Sequence, residues 1–300
     1  MRNYRPFLGG FQSPRRLQPT ASSAERQAVS SHASIHGELD GKVALVTGAS
    51  GGIGRAIAQQ MATGGAAVLL HTRRRVELAQ ELCDTLVQQG GAARVLQADL
   101  ADPQQRAALV EEAWQWRDGI DICVNNAGVD VLTGENAALS FSQRLEKLWR
   151  VDVLGTIEVS RAVGARMVER ASADCDQVIL NMGWDQAAQG MAGESGEMFA
   201  AVKAAVMAFS RSLAGSLAPH VRVNCLAPGW IKTSWGESTS EYWQQRAKGE
   251  SLLGRWGTPE DVAQVARFLV SPAAGFVTGQ VIPINGGFRY AQLDQPPATL

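Results

Sequence analysis

Seven short apolar runs alternate with longer helical patterns from Lys42 onward, and this alternation limits the chain to few folds. "KVALVT" (42–47), "AAVLLH" (66–71), "ARVLQAD" (93–99), "IDICVNN" (120–126), "QVILNM" (177–182), "VRVNCLA" (221–227) and "GQVIPI" (279–284) read as strands. Between them lie helical patterns at 53–63, 75–89, 103–116, 142–169, 197–217 and 259–269. Thr258 caps the last of these, with Pro259 at its first helical position. Strands that are apolar throughout, separated by helices, predict βαβ units and a parallel sheet covered on both faces. The expected fold class is therefore α/β, a doubly wound Rossmann-type sheet of seven strands in one domain over 37–290. Residues 229–257 have no clear period and read as a lid or substrate loop.

The ends differ from this body. Residues 1–36 carry Arg2, Arg5, Arg15, Arg16 and Arg26 against one acid, Glu25, and show no apolar periodicity. They read as a disordered tail, with an organelle-targeting segment as the alternative; 291–300 reads as a C-terminal tail. A net charge of −1 gives no footprint for nucleic acid or an anionic membrane. No apolar run approaches the ~20 residues that span a bilayer. Cys83, Cys123, Cys175 and Cys225 are widely spaced, with no CxxC pair, so free thiols in a reducing cytoplasm are expected rather than a metal site or disulfides.

The first strand–helix junction, "TGASGGIG" (47–54), places Thr47, Gly48, Ser50, Gly52, Ile53 and Gly54 where backbone must turn sharply toward a pyrophosphate. The helix start adds N–H groups and a positive dipole end. At the end of the second strand an acid would bind ribose hydroxyls, but the chain reads His71-Thr72-Arg73-Arg74. Arginines suit a 2′-phosphate, so NADP(H) is expected over NAD(H). With "VNNAG" (124–128), these motifs resemble the short-chain dehydrogenase/reductase family, in the branch holding 3-oxoacyl-carrier-protein reductases; the resemblance covers about 41 to 287. It implies cofactor contacts from Asn126, Ala127 and Gly128, from Asp99 and Leu100 in "ADL", and from Pro228, Gly229, Ile231 and Thr233 in "PGWIKT". It also implies a small-molecule substrate and a homo-oligomer, tetramer or dimer.

The same resemblance implies a reaction centre of Tyr, Lys, Ser and Asn, and here the chain departs from it. Lys203 stands where the lysine belongs, but the tyrosine position is Phe199, the serine position Trp184 and the asparagine position Asp152. Hydride delivery to a ketone leaves an alkoxide to protonate, and a positioned acid supplies ~10²–10⁴-fold. Asp185, beside Trp184, is one substitute acid, since a carboxyl against an indole has a raised pKa; a turn cap is its plain alternative. For Asp152 a structural hydrogen bond is weighed against a proton relay, and Ser195 stays open as a re-aimed hydroxyl. Glu194 and Glu197 read as helix-dipole carboxylates and Tyr242 as a remote candidate, while Trp184, Trp230, Trp235 and Trp243 line an apolar site for a flat or acyl substrate or simply pack. The enoyl-reductase position for tyrosine holds Gly196. Two functions remain in view: an NADP(H)-dependent oxidoreductase with a non-standard acid acting on a carbonyl, imine or conjugated substrate, or a silent dinucleotide binder acting as sensor or oligomer partner.

Overall fold

The computed structural model describes residues 37–171 and 177–288. The readings for 1–36, for Cys175 and for 291–300 fall outside these residues. Seven strands, β1 (Val43–Thr47), β2 (Ala67–Thr72), β3 (Ala93–Gln97), β4 (Ile122–Asn125), β5 (Gln177–Met182), β6 (Val221–Pro228) and β7 (Val281–Ile284), form one sheet in the order β3-β2-β1-β4-β5-β6-β7. Every adjacent pair is parallel. The expected α/β architecture is the one observed.

Strand alternation sends successive side chains to opposite faces. In β1, Ala44 and Val46 pack with α1 (Gly52–Thr63) and α9 (Pro259–Val270), whereas Val43 and Leu45 pack toward α3 (Pro103–Trp114) and α5 (Thr156–Arg170). Both faces are covered, so polar residues at either parity would cost burial energy. α2 (Val76–Gln88) joins the first layer and α6 (Glu194–Leu217) the second. Strand order reverses between β1 and β4, which opens a crevice beyond the carboxyl ends of the strands.

Several boundaries move. The helical pattern at 142–169 is one run from α4 (Phe141–Leu148) to α5, but Trp149–Gly155 between them is a π-helix. α6 begins at Glu194 rather than 197, because Gly193 turns the chain at φ 96° and Glu194 and Glu197 favour the helix N-terminus. β3 stops at Gln97 and β7 starts at Val281, each two residues short of the apolar run. The aperiodic stretch 229–257 holds two helices, α7 (Ser234–Ser238) and α8 (Glu241–Glu250). α8 has no apolar stripe for the period to show; it is held by Arg246 paired with Glu250 and stacked on Trp230 and Trp243. By length and composition α6 is apolar enough to cross a membrane, yet it lies in the fold against β5 and β6 with Lys203 on its inner side.

Candidate active site

The β1–α1 junction is built as a cradle. A Cβ on Gly48, at φ 68°, would sit 2.9 Å from Ala127 Cα, and one on Gly54 would sit 2.2 Å from the Gly48 carbonyl oxygen. Gly51 caps α1 with no side-chain hydrogen bond, and Gly52 turns at φ 53°. The first amides of α1 are thus left for an anion. Thr47 Oγ1 accepts from the amides of Asn126 and Ala127, both at 3.0 Å, and Asn126 Nδ2 donates to the Thr47 carbonyl at 3.0 Å. These bonds lock the ends of β1 and β4 together across the switch point. Ser50 and Ile53 are half-buried along the loop, and Gly128 lies beside Asp152, whose Oδ2 a Cβ there would approach to 2.9 Å.

His71, a strand-end residue in the sequence, holds this loop. Its Nδ1 accepts from the Gly48 amide at 3.3 Å and its Nε2 donates to the Ala98 carbonyl at 3.1 Å. Burial lowers its pKa to about 4, against the Ala98 carbonyl and Asp99, which raise it. The ring is therefore neutral with its proton on Nε2.

At the adenosine end Arg73 lies 3.5 Å from Asp99, and Leu100 is buried beside Gly155. Arg74 is exposed. Arg75, outside the expected set, lies closer to the cradle: its Nη1 is 3.6 Å from where a Gly51 Cβ would be. On the other rim, Thr233 Cγ2 comes within 3.4 Å of a Cβ on Gly52, Ile231 is buried, and the Gly229 amide, just past Pro228, donates to the Ile284 carbonyl at 3.0 Å. Glycine-shaped backbone, free amides and arginines at the far end fit a dinucleotide with an extra phosphate.

The reaction end gathers at the carboxyl ends of β4, β5 and β6. Lys203 Nζ donates to Asp152 Oδ2 at 2.9 Å and to the Met182 carbonyl at 3.4 Å. Asp152 Oδ1 accepts from the Val129 amide at 2.9 Å, and its side chain is 2% exposed. Asp152 is thus a structural partner that neutralises the lysine. Phe199 shares a helical face with Lys203 one turn on, packs against the apolar cluster that holds Val131, Leu148 and Val202, and meets Trp184 edge-on with centroids 6.5 Å apart. Gly183 admits no side chain, since a Cβ would lie 2.8 Å from Met207 and 3.0 Å from Cys225. Phe199 and Trp184 are thus two aromatic rings in contact, neither carrying a titratable proton.

Asp185 opens the turn after Trp184. Its Oδ2 accepts from Asn285 Nδ2 at 3.0 Å and abuts Gly229, where a Cβ would come within 2.9 Å. Oδ1 is buried and has no hydrogen-bond partner. Burial pushes the Asp185 pKa up to about 6; Asn285 and the Gln186 backbone oppose this, and the Glu250 charge adds to it. Asn285 escapes a reading of the sequence, because it lies 100 residues away, just past the end of β7, the strand two places over. Ser195 sits in the first turn of α6, two turns from Lys203 and ~12 Å along the axis, so the structure does not bring its hydroxyl to the lysine.

The aromatic residues divide. Trp230 packs on Trp243 at 5.4 Å and Trp256 at 6.0 Å, and donates to Glu250 at 2.7 Å; Tyr242 stacks on Trp243 at 5.1 Å on the outer side of α8. This cluster packs α8 against the segment around Trp230 and Trp256. The side chain of Trp235 is outside the described ones.

Comparisons with known proteins agree with this geometry. A family model described as Enoyl-(Acyl carrier protein) reductase matches residues 48–289. A 3-oxoacyl-[acyl-carrier-protein] reductase of Aquifex aeolicus is 36% identical over 255 residues, covering 83% of this chain and 98% of the relative. A Burkholderia cenocepacia short-chain dehydrogenase solved in complex with NADP superposes with TM-score 0.74 at 31% identity, over 83% of this chain and 98% of that one. A blue fluorescent protein from a metagenomic library, in complex with NADPH, superposes with the same score and identity over the same shares.

Proposed function

The chain belongs to the short-chain dehydrogenase/reductase family, and on that premise we propose that it is an NADP(H)-dependent oxidoreductase working without a phenolic acid. The observation that carries this reading is the cradle: glycines that tolerate no Cβ, a loop fixed by His71 and Asn126, and Lys203 still aimed at the strand ends. Gly48, Gly52, Gly54 and the α1 amides bind the pyrophosphate. Asn126, Ala127 and Gly128, with Thr233 opposite, bound the nicotinamide side. Arg73, Arg74 and Arg75 take the 2′-phosphate, with Asp99 and Leu100 beside the adenine. When bound, the nicotinamide supplies or accepts a hydride. Asp185 replaces the missing phenol as the proton-handling group, because no other carboxyl at this end is both buried and without a cation partner among the described residues. The family also supports a homo-oligomer.

One observation favours a second reading, dinucleotide binding with no redox step: Lys203 is neutralised by Asp152, and Phe199 and Trp184 offer no titratable proton. Titration of nucleotide fluorescence tests the shared premise. NADPH is expected to bind about tenfold more tightly than NADH, and Arg75→Ala to close most of that gap, as the loss of one charged hydrogen bond predicts. No binding of either nucleotide refutes both readings. NADPH binding without its oxidation by any carbonyl, imine or enoyl compound selects the second.

A further inference from the structure

We infer that Lys232, with Arg55 on the same cavity, is a further phosphate-binding residue that closes on the pyrophosphate of the bound dinucleotide from the side of α7. The inference rests on the dinucleotide reading and adds two cationic side chains to its site.

Beside the cradle lies a cavity of about 280 Å³. Gly52 and Thr233, neighbours across the rim of the cradle, both line it, and so do Lys232 and Arg55. The main chain fixes the place of Lys232. Its amide donates to the Gly257 carbonyl at 2.8 Å, Ile231 before it is buried, and Lys232 itself is exposed. Arg55 is half-buried in the first turn of α1, one residue past Gly54. Its Nη1 donates to the Leu78 carbonyl on α2 at 3.5 Å, a long bond, so turning the side chain into the cavity forfeits little.

The charges explain why these two side chains are needed. The loop 47–54 carries no charged side chain. The α1 N-terminus alone, worth about half a charge, faces a doubly charged pyrophosphate. Arg73, Arg74 and Arg75 serve the 2′-phosphate in the reading above. Neither Lys232 nor Arg55 pairs with a carboxylate among the described residues. A cation in the first turn of a helix meets the positive end of the dipole, which makes Arg55 ill-placed until an anion joins it. Two acids, Glu237 and Glu260, also line the cavity. They lie in the first turns of α7 and α9, where a helix end favours an acid. The acids are therefore served by their own helices, and the cations are left for the phosphates.

Titration of NADPH and NADH by fluorescence tests this. Lys232→Met and Arg55→Met keep side-chain length and remove the charge. Each is expected to weaken both nucleotides by the same factor, about threefold, and the two together by about tenfold, as partly exposed ion pairs do. Glu237→Gln should tighten both about twofold. The loss in the double variant should shrink as salt is raised from about 0.02 to 0.5 M, because the lost attraction is one that salt screens. Unchanged affinity in the double variant overturns the inference. A loss confined to NADPH overturns it too, since the cations would then serve the 2′-phosphate. A loss indifferent to salt shows an effect through the fold rather than through charge, and overturns it as well. All three leave the dinucleotide reading standing. If the wild-type chain binds neither nucleotide, that reading fails first and the inference falls with it.

Discussion

Asp185 is the residue on which the proposed chemistry turns, and its cost to the fold can be measured. A carboxyl ordinarily titrates near 3.8, and burial raises this one to about 6, with Glu250 adding to the rise and Asn285 opposing it. The folded chain therefore binds a proton more tightly than the unfolded chain. That preference stabilises the fold below pH ~4 and is lost as pH rises through about 6. At pH 7.5 the wild-type chain thus holds a poorly solvated charge. Asp185→Asn keeps the shape and can accept from Asn285, so it should melt at a higher temperature at pH 7.5, by on the order of 1–3 kcal/mol. The difference should vanish below pH 4. Thermal melts of both chains across pH 4–8 check this, and an Asn variant equal to wild type at pH 7.5 contradicts the burial argument. His71 bends the curve the opposite way. Its pKa is lowered, so its contribution is full above pH ~6.5 and fades as pH falls toward 4. Comparing wild type with Asp185→Asn cancels that shared contribution. The sequence points to Asp185 through its neighbour Trp184. It holds no hint of Asn285 or of the His71–Gly48 bond, because both join segments at the ends of different strands.

At the scale of elements, the π-helix Trp149–Gly155 brings Asp152 to Lys203. A π turn inserts a residue into a helix and rotates the next turns about the axis, and such turns cluster at functional sites. Sequence periodicity marks 142–169 as helical but cannot reveal where the extra residue sits, so the Asp152–Lys203 pair was not legible. The seven strands and their helices were, because apolar runs buried on both faces leave an unmistakable pattern in composition. α8 was not, because its stability comes from tertiary contacts of Arg246, Trp230 and Trp243 rather than from an apolar stripe. The ion pair between α6 and the π segment predicts a clear asymmetry. Asp152→Ala leaves Lys203 without its counter-charge and the Val129 amide without its acceptor, and should cost about 3 kcal/mol, as breaking a buried pair does. Asp152→Asn keeps an acceptor for one of those donors and should recover much of the loss. Urea denaturation of the two variants measures the difference; equal midpoints would show that the pair holds nothing.

For the molecule as a whole, the open question is what covers the β7 edge. β7 is the last strand of the sheet and its residues are only partly buried, unlike the central strands. Beside it α9 exposes half of Phe268, and Phe276 on the following turn is fully exposed. Leu252 and Leu253, between α8 and α9 and hydrogen-bonded to Gly287 and Gly286 just past β7, are also more than half exposed. Burying a phenylalanine side chain is worth about 1.5–3 kcal/mol, so this face is an unfavourable one to leave in water. Pro283 lies within β7 and has no N–H to donate, which suits an edge strand and discourages a partner from extending the sheet by hydrogen bonding. A second copy would therefore pack its side chains on Phe268 and Phe276 rather than add a strand. Because a two-fold contact presents the same patch twice, one substitution is felt on both sides. Sedimentation of the purified chain should show a dimer or tetramer, and Phe268→Glu with Phe276→Glu should shift it toward a smaller species. Since the substitutions lie outside the cradle, NADPH affinity should persist in the smaller species; if the assembly is unchanged, this face is not its interface.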